Sequence, residues 1–139
     1  MTRQAQARLV VQTSGPGFIE VTAQTVRWLA GTGIGHGLLT LFCRHTSASL
    51  AIQENADPSV RADLDAALGR LAPRDARYLH DAEGPDDMPA HIRAMLTGAQ
   101  IAVPIQGGRP ALGTWQGLYL VEHRDRPHRR EVILCALGA

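Results

Sequence analysis

Short apolar runs bounded by glycine, proline and polar clusters recur along the chain, and that pattern predicts strands more often than helices. Residues 4–13 and 18–22 read as two strands around the turn Ser14-Gly15-Pro16-Gly17. Val26, Trp28 and Leu29 lead into a short helix that stops at Gly31, and a glycine-rich connector over 31–37 opens a strand at 38–44. Another strand is predicted at 48–53. The period then becomes helical. Asp57 is a good N-cap, Pro58 suits the first helical position, and Val60, Leu64, Leu68 and Leu71 repeat at helical spacing up to Pro73. A polar, irregular stretch over 74–87 precedes a second helix at about 88–97, which Gly98 stops. The remainder reads as sheet, at 100–106, 114–123 and 131–137, with a charged hairpin over 124–130. Strands and helices do not alternate, so the expected fold class is α+β with a largely antiparallel sheet and two to three helices.

Length and composition narrow the classes of protein. The 139 residues make a single domain spanning 1–139, with 45% hydrophobic and 19% charged residues. No apolar run reaches the roughly 18 residues of a membrane span. No apolar segment follows the first charged residues either, so no signal peptide is read and a cytoplasmic location is expected. The formal charge is only +1 and aromatics are 4%, which argues against a nucleic-acid partner. All fourteen basic residues are arginine, which excludes lysine Schiff-base chemistry. Cys43 and Cys135 stand far apart in apolar surroundings and read as free thiols.

Four segments offer candidate chemistry. The connector Gly31-Thr32-Gly33-Ile34-Gly35-His36-Gly37 follows a helix and precedes a strand, the reverse of a phosphate-binding loop, and reads as a plain linker. His45, Glu54 and Asn55 form a dense polar patch around a core strand, although hydroxyls and polar groups at strand ends are commonly turn formers. His80 lies in the irregular stretch and His91 in the early turns of a helix, with Asp86 and Asp87 between them. Imidazoles from a loop and a helix converge readily on a divalent metal with a carboxylate as third ligand, while the plain alternative is helix capping by Asp87 and surface histidines. Trp115 and Gln116 open a strand that ends in a run containing Arg124, Arg129 and Arg130. That run reads equally as a solvated turn or as an anion site, because guanidinium matches phosphate oxygens as a planar fork.

The motifs His45-Thr46-Ser47-Ala48, Glu54-Asn55-x-Asp57-Pro58, Asp86-Asp87-Met88-Pro89-Ala90-His91-Ile92, Leu112-Gly113-Thr114-Trp115-Gln116-Gly117 and Glu122-His123-Arg124 resemble the YjbQ-like family, the secondary thiamine-phosphate synthase enzymes. The resemblance implies a β-sandwich-like core, a homotrimer, and a polar pocket near the subunit boundary that gathers His45, His80, His91, a carboxylate and Gln116. It implies weak synthase activity, joining a pyrimidine methyl diphosphate to a thiazole phosphate with release of pyrophosphate. Two departures stand out: Asp87 replaces an asparagine of some relatives, and Glu122-His123-Arg124 replaces a Glu-Phe-Asp version. On this footing His45, Glu54, His91 and Gln116 are the expected catalytic residues. Asn55, Trp115, Arg124, Arg129 and Arg130 are expected to bind a phosphorylated substrate, and His80, His91, His45 and Asp87 to hold zinc or magnesium. A metal-dependent hydrolase and a non-catalytic trimeric binding protein for an anionic metabolite are the alternatives.

Overall fold

The computed structural model describes residues 1–139 as eight strands and three helices. In chain order these are β1 (Arg3–Gln12), β2 (Gly17–Glu20), α1 (Thr22–Thr32), β3 (Gly37–Cys43), β4 (Ala48–Glu54), α2 (Pro58–Leu71) and α3 (Asp87–Thr97). There follow β5 (Gln100–Gln106), β6 (Arg109–Pro110), β7 (Gln116–Glu122) and β8 (Arg129–Gly138). Every strand pair is antiparallel, in a five-stranded sheet of order β1-β8-β3-β5-β6 and a three-stranded sheet of order β2-β7-β4. The α+β class read from the pattern is the class observed.

The two sheets face one another, and alternation decides what each strand contributes. Leu39, Leu41, Val103, Ile105, Val132 and Leu134 point inward from the larger sheet and meet Leu50, Leu118 and Leu120 of the smaller one. Each fully buried leucine there contributes about 2 kcal/mol. Helix α1 adds Leu29 to the same core. Helix α3 packs on β4, and Arg61 of α2 places its guanidinium 5.4 Å from the centre of the Tyr119 ring of β7. Asp57 caps α2 as expected, its Oδ1 accepting the Ser59 amide at 2.9 Å.

The outer face of the larger sheet is left to solvent. Leu38 lies opposite both Leu137 and Pro104, and Phe42 lies opposite Ile133, so these side chains form one apolar strip; Leu38, Phe42 and Leu137 are each about half exposed. No helix is long and apolar enough to cross a membrane.

Two expectations need correction. Residues 124–130 are not a hairpin, because β7 pairs with β2 and β4 whereas β8 pairs with β1 and β3. The segment crosses from one sheet to the other. The glycine connector is also more than a linker: a Cβ on Gly37 would stand 2.0 Å from the Leu137 carbonyl, so the backbones of β3 and β8 meet there only because both Gly37 and its partner Gly138 lack side chains.

Candidate functional site

Helix α3 starts with Asp86 and Asp87, and negative charge at a helix N-terminus is favourable. Asp87 and His91 are four residues apart, so both side chains lie on one face of the helix. The preceding loop brings His80 to the same place. Its Nε2 is 2.8 Å from Asp87 Oδ2, and His91 Nε2 is 3.4 Å from the same oxygen. The three ligand atoms all lie within 4.8 Å of one another.

The hydrogen bonding of the cluster is incomplete in a telling way. His91 Nδ1 is 3.0 Å from the Thr46 carbonyl oxygen, a pairing that only a ring N–H makes. In the neutral ring this leaves a lone pair on Nε2, directed at the carboxylate. Asp87 is 1% exposed, and no donor is aligned on its Oδ2 despite the short approach of His80. A buried anion facing imidazole nitrogens in this manner needs a cation or a proton among them. Arg124 holds the other side of the carboxylate. Its Nη1 donates to Asp87 Oδ1 and its Nε to Asp86 Oδ2, both at 2.8 Å, and its Nη2 donates to the Glu83 carbonyl at 3.0 Å. Burial works to raise the Asp86 carboxyl, but the Arg124 guanidinium and the Asp125 amide outweigh it and hold it below the usual carboxylate range.

The structure leaves several expected site residues elsewhere. The Nε2 of His45 accepts the Glu131 amide at 2.8 Å, and burial and the Arg130 charge lower its pKa. That nitrogen is engaged, and the ring stays outside the ligand cluster, although it shares a surface hollow with Thr46 and His91. Of the arginines expected to bind phosphate, Arg124 is the clamp just described. Arg130 is buried in a pair with Glu122 at 2.5 Å, and Arg129 pairs with Glu131 at 2.9 Å. Arg124 and Arg130 offer no free fork to a diphosphate, and Arg129 is tied through Nη1 alone.

The remaining expected residues gather at the opposite end of the smaller sheet. In the β4–β7 register Ala48 faces Glu122 while Glu54 faces Gln116, so six residues of strand, about 20 Å, separate the two ends. There Glu54 accepts the Asp57 amide, Asn55 donates to Glu20, and Gln116 accepts the Gly113 amide, while Trp115 is 62% exposed. Within one chain these groups stabilise turns and do not reach His80 or His91.

One residue not anticipated from sequence does adjoin the cluster. A cleft of about 540 Å³ is lined by Arg77, Tyr78, His80, Met88 and Pro89 among others. Arg74 on its rim is paired with Asp125, whereas Arg77 carries no carboxylate partner. The available signal was local: a cation and an aromatic ring stand three and two positions before His80.

Two antiparallel sheets carrying a His–Asp–His cluster at one edge define an α+β protein with a candidate metal centre. The chain belongs to the UPF0047 YjbQ-like family, whose model matches residues 7–139. It is 50% identical to a UPF0047 protein of Synechocystis over 98% of this chain and 93% of the relative. It is 40% identical to UPF0047 protein YjbQ of Salmonella typhimurium over 96% and 97% of the two chains. Among solved structures, an uncharacterized yjbq/upf0047 family protein of Clostridium acetobutylicum superposes with a TM-score of 0.86 at 35% identity, covering 94% of this chain and 98% of that one. A YbjQ-like protein of unknown function from Sulfolobus solfataricus shares the fold, with a TM-score of 0.93 at 21% identity and full coverage of both chains. These names carry family membership and no reaction.

Proposed function

We propose that His80, Asp87 and His91 hold a divalent cation and that the chain is a metal-assisted enzyme acting on a small phosphorylated metabolite, with hydrolysis as its reaction. The observation that carries this reading is the buried Asp87 Oδ2, which lies between two imidazole nitrogens without an aligned hydrogen bond. Two histidines and one carboxylate suit zinc and leave a fourth position open; magnesium prefers oxygen ligands. Such a cation, when bound, supplies Lewis acidity toward a phosphoryl oxygen and makes water a nucleophile near neutral pH.

The chain's own groups do the rest. The Thr46 carbonyl fixes the His91 tautomer, the arrangement usual behind a metal-ligating histidine. Arg124 holds Asp87 in orientation through its Nη1. Arg77 receives the phosphate, and Tyr78, whose hydroxyl is tied to the Pro73 carbonyl at 2.6 Å, offers a fixed aromatic wall to the metabolite's body. Thiamine-phosphate synthase activity is the second reading. What favours it is the pairing of an aromatic wall with an unpaired arginine in the cleft; the engagement of Arg124, Arg129 and Arg130 makes it a slow activity.

The same reading includes a homotrimer in the cytoplasm. The trimer is supported by the uncovered strip of Leu38, Phe42 and Leu137, and the cytoplasm by two free cysteines. The test is metal analysis and phosphate release from a panel of monophosphates by the purified chain, beside His80→Ala and His91→Ala. Zinc near one per chain and turnover that both variants abolish are expected. Equal, negligible metal in all three proteins would refute the metal. Zinc binding with no phosphate release, but with thiamine phosphate formed from its two substrates, would put the synthase first.

A further inference from the structure

His123 and Arg124 are consecutive, yet their side chains reach opposite ends of the helix that carries the cluster. Arg124 grips Asp86 and Asp87 at the start of α3. His123 reaches its last residue: Nε2 lies 2.8 Å from Ser49 Oγ, Ser49 Oγ lies 2.5 Å from Thr97 Oγ1, and Thr97 donates to the Arg93 carbonyl at 2.8 Å. Ser49 is fully buried and His123 is 3% exposed, so water does not compete for the bond between them, and the two bonds of Thr97 are partly buried.

Counting protons gives the chain a direction. Each hydroxyl has one proton to donate. Thr97 gives its own to the Arg93 carbonyl, so it must accept from Ser49. Ser49 then has none left for the ring and must accept from His123. All three bonds form together only when His123 is the Nε2–H tautomer. The ring is also kept neutral, its pKa lowered to about 4 by burial and by the Arg93 charge.

We infer that His123 is a positioning residue: through Ser49 and Thr97 it fixes the rotation of α3 and thereby sets Asp87 and His91 opposite His80. Asp87 and His91 ride on the same helix and move together, so a turn of α3 leaves their spacing unchanged. His80 comes from the loop, and the Thr46 carbonyl from the β3–β4 connection, and both fall out of line when the helix turns. The inference rests on the metal reading only in taking zinc affinity as its first readout.

The experiment compares zinc affinity of the full chain with that of His123→Ala, Ser49→Ala and Thr97→Val, the last nearly isosteric in case the others fold poorly. Each should weaken zinc by about tenfold, the lower end for residues behind metal ligands. His123→Ala combined with Thr97→Val should be no worse than either alone, because both break one chain of bonds. His123→Gln, whose amide reaches the same hydroxyl, should recover affinity to within about twofold. Nitrogen-15 NMR of the metal-free wild type should show His123 as the Nε2–H tautomer, a signature that general destabilisation does not alter. Unchanged affinity in the variants of a zinc-binding wild type, or an Nδ1–H ring, would overturn the inference. Were the wild type to bind no zinc, the metal reading would fall, and the His80 resonances would decide: a shift in Thr97→Val supports positioning, and no shift refutes it.

Discussion

Replacing Arg124 by methionine removes four side-chain hydrogen bonds at once, two to Asp86 and one each to Asp87 and the Glu83 carbonyl. The carboxylates left behind are 10% and 2% exposed at the side chain, so water replaces the lost partner poorly. Breaking a buried pair from one side costs about 3–5 kcal/mol, and Arg124 retains 18% of its side chain in water, which points to the low end, about 3 kcal/mol. For a chain of this length that lowers the midpoint of thermal unfolding by about 10 °C. The pH dependence gives a second handle. The folded Asp86 carboxyl titrates below its ordinary value of 3.8, so its contribution is present above that value and is lost as pH falls through the folded one. Wild type and variant should therefore differ fully at pH 7 and 5 and begin to converge only as pH falls below 3.8. Arg124→Lys should recover only part of the loss, since a point charge cannot bridge two carboxylates as a fork does. The assay is urea unfolding followed by circular dichroism at pH 7, 5 and 3.5. A variant within about 0.5 kcal/mol of wild type at pH 7, the range of ordinary surface substitutions, would refute the clamp.

Other expectations follow from the same geometry. His123 falls from 6.5 to about 4 on folding, so its contribution is intact above 6.5 and is lost as pH drops toward 4; at 1.36 kcal/mol per unit this is about 3 kcal/mol. His123→Gln should flatten that part of the stability curve, and an unchanged slope between pH 6.5 and 4 would count against it. Arg77→Ala should weaken inhibition by inorganic phosphate about tenfold, the worth of a charge-assisted hydrogen bond, while leaving zinc affinity unchanged. Leu38→Asp or Phe42→Asp should convert an assembly into single chains by light scattering without loss of the circular dichroism spectrum; a mass unaffected by either would sink the assignment of that face.

Local signals were legible wherever the physics is local. Asp57-Pro58 announces the start of α2, Gly98 the end of α3, and the spacing of Asp87 and His91 places both on one helix face. His80 was legible as a histidine within an irregular loop close in sequence to that helix. The spread of the expected site within one chain was not legible because a motif does not reveal strand register: Glu54 and Asn55 look adjacent to His45 in sequence, yet a whole extended strand lies between them. The partners of the arginines were hidden for a related reason. Arg124 finds its carboxylates about forty positions earlier, outside any local window, and Arg130 stands only eight positions from Glu122 but meets it across the two sheets, a pairing that spacing alone does not reveal. Polarity over 124–130 is the same for a hairpin and a sheet-to-sheet crossover, and only the partners of β7 and β8 tell them apart.

The order β1-β8-β3 also has a kinetic consequence. The last strand to be synthesised lies between the first and the third, with Arg3 paired to Gly138 and Leu38 to Leu137. Until β8 leaves the ribosome β1 has no partner and β3 is paired only with β5, so both expose backbone groups along edges that any extended peptide can occupy. Contacts spanning nearly the whole chain make for slow folding, and they come late. The nascent protein is thus at its most adhesive just before β8 emerges, and removal of Arg129–Gly138 takes out a central strand rather than a dispensable segment.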